Sequence, residues 1–226
     1  MSATQRSVRR VVIVGGVAGG MSAATRLRRN DEDAEIVVLE RGEHVSFANC
    51  GLPYHVGDVI NDRADLLLQT PHTLARRFHL DVRVRHEVTQ VHLDRRAVEV
   101  SELATGLGYE LPYDALVLAT GSRPVLPPIP GIDRAHTLRD VTDTDRLVAA
   151  VRDASSAVIL GGGFIGLELA ENLLRRGLDV TVVEAADQVL APLDVEMATI
   201  VARHLGKRGV RVRTGSSAEI GRASCR

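Results

Sequence analysis

"RRVVIVGGVAGGMSAATRLRRNDEDAEIVVLERGEHV", residues 9–45, decides the fold. A short β-branched run opens it at Val11. A glycine-rich turn follows, from Gly15 to Gly20. Apolar residues then recur at i, i+3 and i+4, and a basic pair, Arg28 and Arg29, lies near the end of that stretch. A second β-branched run closes on Glu40. The same order recurs in "SSAVILGGGFIGLELAENLLRRGLDVTVVEAADQVL", residues 155–190, which closes on Glu184. Strand, glycine turn, helix, strand is the parallel crossover unit, and the chain carries it twice.

The two copies predict an α/β protein with two Rossmann-like units, each three-layered around a parallel sheet. Between them, from about residue 80 to 113, apolar and polar residues alternate with period two. Turn-like "LDRRA" and "ATGLG" interrupt the alternation. This predicts an inserted antiparallel β-meander, followed by a strand over 115–119. The proline-rich "SRPVLPPIPGI" reads as a connector. In "TLRDVTDTDRLVAAV", Thr142 and Asp145 have the spacing of a capping box for a short helix. The expected domains are a first nucleotide-binding domain over 8–120, a connector over 121–154 and a second, incomplete domain over 155–218. The closing "IGRASCR" resembles a translated sequencing adapter, so residues 219–226 are expected to be a non-native scar and Cys225 with them.

Composition sets bounds on partners. The formal net charge is −1, with 28 basic and 29 acidic residues. That gives no global attraction for nucleic acid or an anionic membrane. No run reaches the roughly 18 apolar residues of a membrane helix, so the chain is expected to be cytoplasmic. Two cysteines 175 positions apart make no disulfide framework, and the eight histidines show no zinc-like pairing, so no metal is expected.

The glycine turns carry the first chemistry. In the second copy Gly161, Gly163 and Gly166 occupy all three fingerprint positions, within Gly161, Gly162, Gly163, Phe164, Ile165 and Gly166. In the first, Gly15 and Gly20 hold the outer positions of the run Gly15, Gly16, Val17, Ala18, Gly19 and Gly20, but Val17 replaces the middle glycine. The following helix N-termini offer N–H groups to a pyrophosphate. Glu40 and Glu184 fall where a carboxylate accepts from a ribose diol. Ala185 and Ala186 follow Glu184, with no arginine to neutralise a 2′-phosphate, which favours NADH over NADPH. Two dinucleotide sites in one chain point to a flavin, FAD, plus a nicotinamide.

Further motifs carry a resemblance. "LVLATGSRP", residues 116–124, resembles the Ala-Thr-Gly motif of two-dinucleotide flavoproteins, at Ala119, Thr120 and Gly121. "SFANCGLPYHVGDVI" resembles the redox-active segment of the coenzyme A-disulfide reductases. These form a branch, with NADH oxidases, peroxidases and polysulfide reductases, of the FAD-dependent pyridine nucleotide-disulfide oxidoreductases. "GGVAGGMSAA", "TLRDVTDTDRL" and "GGGFIGLELAENL" are also similar to that branch, and the likeness runs from Val11 to about Thr214.

The resemblance implies that Cys50 is catalytic. Most of the wider superfamily has two cysteines about five residues apart; here the residue five on is His55. Cys50 would then cycle through a mixed disulfide with coenzyme A, a persulfide or a sulfenic acid. Ser22, Arg26, Arg29, Ser46 and Asn49 match thiol-ligand positions, with a changed side chain at Arg26. Phe78 stands where a lysine is expected, and Arg76 or Arg77 offers compensation. Glu40 with Arg41 would hold the FAD ribose. The resemblance also implies a homodimer for the whole parent enzyme. Neither its second FAD motif nor its C-terminal dimerisation domain has a counterpart here. The expected activity is reduction of CoA disulfide by NADH through FAD and Cys50. The alternatives are an NADH oxidase or peroxidase, a polysulfide reductase, or an inactive nucleotide-binding fragment.

Overall fold

The computed structural model describes residues 9–218. The expected scar and Cys225 lie outside the described residues. Among the described residues ten strands and six α-helices follow in order: β1 (Arg10–Val14), α1 (Ala18–Asn30), β2 (Glu35–Glu40), α2 (Leu52–Val56), α3 (Pro71–Phe78), β3 (Asp81–Val84), β4 (His86–His92), β5 (Ala97–Glu102), β6 (Gly108–Pro112), β7 (Ala115–Leu118), α4 (Val141–Val151), β8 (Ser156–Leu160), α5 (Phe164–Arg175), β9 (Asp179–Val183), α6 (Val195–Lys207) and β10 (Arg211–Arg213). They form two compact units. One comprises residues 9–48 with Leu67–Ser122, the other Asn49–Leu66 with residues 123–218.

In the first unit a parallel sheet runs β3-β2-β1-β7. Side chains alternate across its strands, so each face receives its own core. Val11, Ile13, Ile36 and Val38 pack with Met21 and Ala24 of α1 and Leu74 of α3. Val12, Val37 and Leu39 pack on the other side with Val98, Val100, Leu111 and Tyr113, from the meander and the residues that follow it. Helices, sheet and meander make three layers.

The meander is narrower than the alternation suggests. It comprises β4-β5-β6 alone, antiparallel throughout. Residues 81–84, read as its first strand, form β3, which pairs parallel with β2. The cause is position: β3 is an edge strand with no fully buried residue, so it alternates like a meander strand. The break falls at Arg85, whose φ is 58°. The helix cap also differs. Asp140, not Thr142, caps α4, accepting from the Asp143 amide at 2.8 Å. Asp145 instead pairs with Arg63 at 2.7 Å.

Arg28 binds two helix ends together. Its guanidinium donates to the carbonyls of Asp31 and Glu32 past α1, and to those of Phe78 and His79 at the end of α3. A cation at two converging C-termini also meets their negative dipole ends. Arg28→Ala is expected to lower stability by about 2 kcal/mol, seen as a lower urea midpoint at constant slope.

The second unit repeats the first incompletely. Its parallel sheet runs β10-β9-β8. One face packs under α4 and α5 through Ile159, Val180, Val182, Ala170, Leu173 and Leu147. On the other face, among the described residues, β8 is exposed while Thr181 and Val183 of β9 are half-buried. Val158 occupies the place of Val12, but it is 64% exposed where Val12 is 0%. Among the described residues no strand lies beyond β8 as β7 lies beyond β1, and no meander covers this face. Exposed apolar strand edges in general attract hydrophobic dyes and other chains. Val158→Thr is expected to reduce anilinonaphthalene sulfonate fluorescence and raise solubility, with the melting temperature unchanged.

Candidate functional site

The two glycine turns are alike at the level of single hydrogen bonds. Gly15 and Gly161 have φ of 105° and 107°, a region that excludes β-carbons. The Gly15 amide donates to the Leu39 carbonyl, and the Gly161 amide to that of Val183, both at 2.8 Å. A Cβ on Gly20 would lie 1.8 Å from the Gly15 carbonyl oxygen, and one on Gly166 would lie 2.1 Å from that of Gly161. These closures press each helix start against its strand.

Each acid grips its own turn. Glu40 accepts from the Gly16 and Gly42 amides, both at 2.7 Å. Glu184 accepts from Gly162 at 2.6 Å and Ala186 at 2.8 Å. One bond per carboxylate oxygen leaves each oxygen a second lone pair for a ribose hydroxyl. Val17 and Gly163 precede α1 and α5, and neither provides a side-chain cap. Ala18, Gly19 and Gly20, and likewise Phe164, Ile165 and Gly166, make up the first helical turns, whose amide donors have no intrahelical partner. A Cβ on Gly163 would meet nothing within 4 Å, so the turn is open where a phosphate would lie. Both turns therefore fit a dinucleotide.

Ala119 closes on the first turn. Its amide donates to the Val14 carbonyl, and its carbonyl oxygen would lie 2.1 Å from a Cβ on Gly15. Thr120 follows, exposed, and Gly121 has a φ of 67°. Arg41 is exposed and lies 3.5 Å from Glu87. Ser22, Arg26 and Arg29 are exposed at i, i+4 and i+7 on α1, sharing one face. The repeat still holds at Ser46. Its φ is 49° and its amide donates to the Gly16 carbonyl, as Leu190, with the same φ, donates to Gly162. Phe78 packs into the first core and carries Arg77 over its ring, while Arg76 is exposed.

Cys50 is exposed, in the single turn Asn49–Gly51 that leads into α2. This segment belongs to the second unit. Val56 of α2 is wholly buried in that unit's core. The periodicity gave no sign of this, because α2 is five residues long. His55 is turned to the Ile60 carbonyl at 2.7 Å, a loop contact.

The family model of pyridine nucleotide-disulphide oxidoreductases matches residues 9–224. The chain belongs to this family. It is 35% identical over 213 residues to an NADH oxidase of Enterococcus faecalis, covering 93% of this chain and 48% of that protein. It is also 35% identical over 208 residues to a coenzyme A disulfide reductase of Staphylococcus haemolyticus, covering 91% and 47%. Among solved structures, reduced Bacillus anthracis CoADR-RHD superposes with a TM-score of 0.92 at 44% identity, over 96% of this chain and 40% of that one. The chain spans about half the length of the curated relatives it matches. Members of this family are FAD-dependent NAD(P)H oxidoreductases, which agrees with two dinucleotide-shaped turns. Among the described residues no cluster of three His, Cys, Asp or Glu side chains could hold a metal ion, and no helix is long and apolar enough to cross a membrane.

Proposed function

We propose that this chain carries the cofactor turns and the thiol of an NADH-dependent coenzyme A disulfide reductase, with Cys50 as its single redox cysteine. The observation that carries the reading is an exposed Cys50 without another cysteine among the described residues. With no cysteine partner among the described residues, its sulfur is open to pairing with an external one. Gly15–Gly20, Glu40, Arg41 and Ala119–Gly121 would hold FAD, and Gly161–Gly166 with Glu184 would hold NADH. Bound together, these cofactors supply the electron pair.

The chain's own part is thiol exchange. The Cys50 thiolate attacks one sulfur of CoA disulfide, forming a Cys50–CoA mixed disulfide and releasing one CoA thiolate. Two electrons and a proton then cleave the mixed disulfide, regenerating the Cys50 thiolate and releasing the second CoA thiol. The sum is CoA disulfide plus NADH and a proton giving NAD⁺ and two CoA thiols. Arg26 and Arg29, with Ser22 on the same face, offer donors to CoA phosphates; Ser46 and Asn49 lie near the cysteine in sequence. Glu184, followed by two alanines, disfavours a 2′-phosphate and so favours NADH.

Anaerobic titration of the FAD-reconstituted protein with NADH and CoA disulfide tests this. Two thiols should appear per NADH consumed. NADH oxidation indifferent to CoA disulfide would overturn it. The 35% identity to an NADH oxidase supports a second reading, with Cys50 cycling as sulfenic acid. Oxygen consumption without CoA disulfide would favour that one. A purified chain that retains no flavin would be an inactive fragment. The homodimer is a proposal for the whole protein.

A further inference from the structure

We propose that α5 seats the cysteine-bearing turn, with Asn172 and Arg176 as positioning residues for Cys50. The inference rests on the reading of Cys50 as the redox thiol. Cys50 runs directly into α2, whose five residues are too few to hold a helix on their own. The end of α2 is gripped from α5. The Arg176 guanidinium donates to the Val56 carbonyl at 3.0 Å and to Asp58 at 3.1 Å. Its side chain is only 17% exposed, so the bond to Val56 is shielded from water.

One turn earlier on the same face lies Asn172, 1% exposed. Its Nδ2 donates to the Glu168 carbonyl at 2.8 Å. Its Oδ1 finds no donor among the described residues. Leaving a buried acceptor unpaired is costly, and a leucine would fill the space without that cost. The Asn172 side chain faces Gly57. A Cβ on Gly57 would lie 2.2 Å from Oδ1 and 2.7 Å from the Asn172 Cβ. Gly57 therefore lets the end of α2 rest directly on α5. At its other end α5 starts from the Gly161–Gly163 turn. One helix of 12 residues, about 18 Å long, joins the nucleotide turn to the cysteine's seat. The sulfur's place relative to that turn is set through Asn172 and Arg176.

The test is the rate at which iodoacetamide alkylates Cys50, followed by peptide mass spectrometry in a Cys225→Ser background. Gly57→Ala and Arg176→Gln should each change the rate at least about fivefold, because exposure and surroundings govern thiol reactivity. Arg176→Lys keeps a donor for Val56 and should stay within about twofold. Asn172→Gly removes both Oδ1 and the Cβ at 2.7 Å, so Gly57→Ala/Asn172→Gly should return toward the parent rate. Leu205→Ala, on α6 in the same core, should lower stability without moving the rate. Unchanged rates in the folded variants, or an equal change in Leu205→Ala, would overturn the proposal. Where Gly57→Ala does not fold, the Arg176→Gln and Arg176→Lys pair decides. Alkylation needs no turnover, so a failure of the CoA disulfide reading leaves this result standing by itself.

Discussion

Gly20→Ala is expected to lower stability by about 3 kcal/mol and to abolish flavin retention. The added carbon would sit 1.8 Å from a backbone oxygen and 3.3 Å from Ile13 Cγ2. Neither the Gly15 carbonyl nor β1 can swing aside like a side-chain tip. Gly15 is fixed by the hydrogen bond its N–H donates to the Leu39 carbonyl and by the Ala119 carbonyl oxygen close to its α-carbon. Relief therefore requires α1 to move off the sheet, opening the first core at Met21 and Ala24. A whole domain is stable by only about 5–15 kcal/mol, so the loss is a large share. Gly19→Ala is the control. Its Cβ would meet only the Ala119 Cβ, at 3.8 Å, which is ordinary contact. It should keep the urea midpoint of the parent, while Gly20→Ala lowers it at similar slope. Equal midpoints in the two variants would contradict the account of the turn.

The second large effect is on chemistry. On the proposed function, Cys50→Ser is expected to lower CoA disulfide-dependent NADH oxidation by about a thousandfold or more, since a hydroxyl neither exchanges with a disulfide nor carries the electron pair. The flavin spectrum and the melting temperature should not change, because Cys50 is exposed and lies outside the three cores. Parent-like turnover in Cys50→Ser would remove the thiol from the mechanism. Loss of turnover together with loss of flavin would instead indicate a structural role.

Much of the fold was legible in the sequence, and the reason is local. Glycine at 15, 20, 161 and 166, β-branched runs on either side and an acid closing each second run are short-range requirements of one turn and two strands. The family resemblance rested on the same segments and on "SFANCGLPY". The errors have a common form. Residues 81–84 alternate like a meander because an edge strand is half exposed, whichever sheet it joins. The cap of α4 falls at Asp140 because several acids and threonines offer the same spacing one register apart, and only the backbone's extended conformation at Asp140 selects among them.

The sequence by itself determined two crossover units, their acids and a cysteine, Cys50, between them, since each depends on residues close along the chain. Only the tertiary structure decided which unit carries that thiol. Residues Asn49–Leu66 follow the first crossover, yet Val56 is buried in the second core and Arg176 holds its carbonyl from 120 residues away. A helix of five residues has too little periodicity to announce the face it buries, and its partner is distant in sequence. The bare face of β8 is likewise invisible in "SAVIL", because burial of a strand's second face depends on what lies across it and not on the strand's own residues.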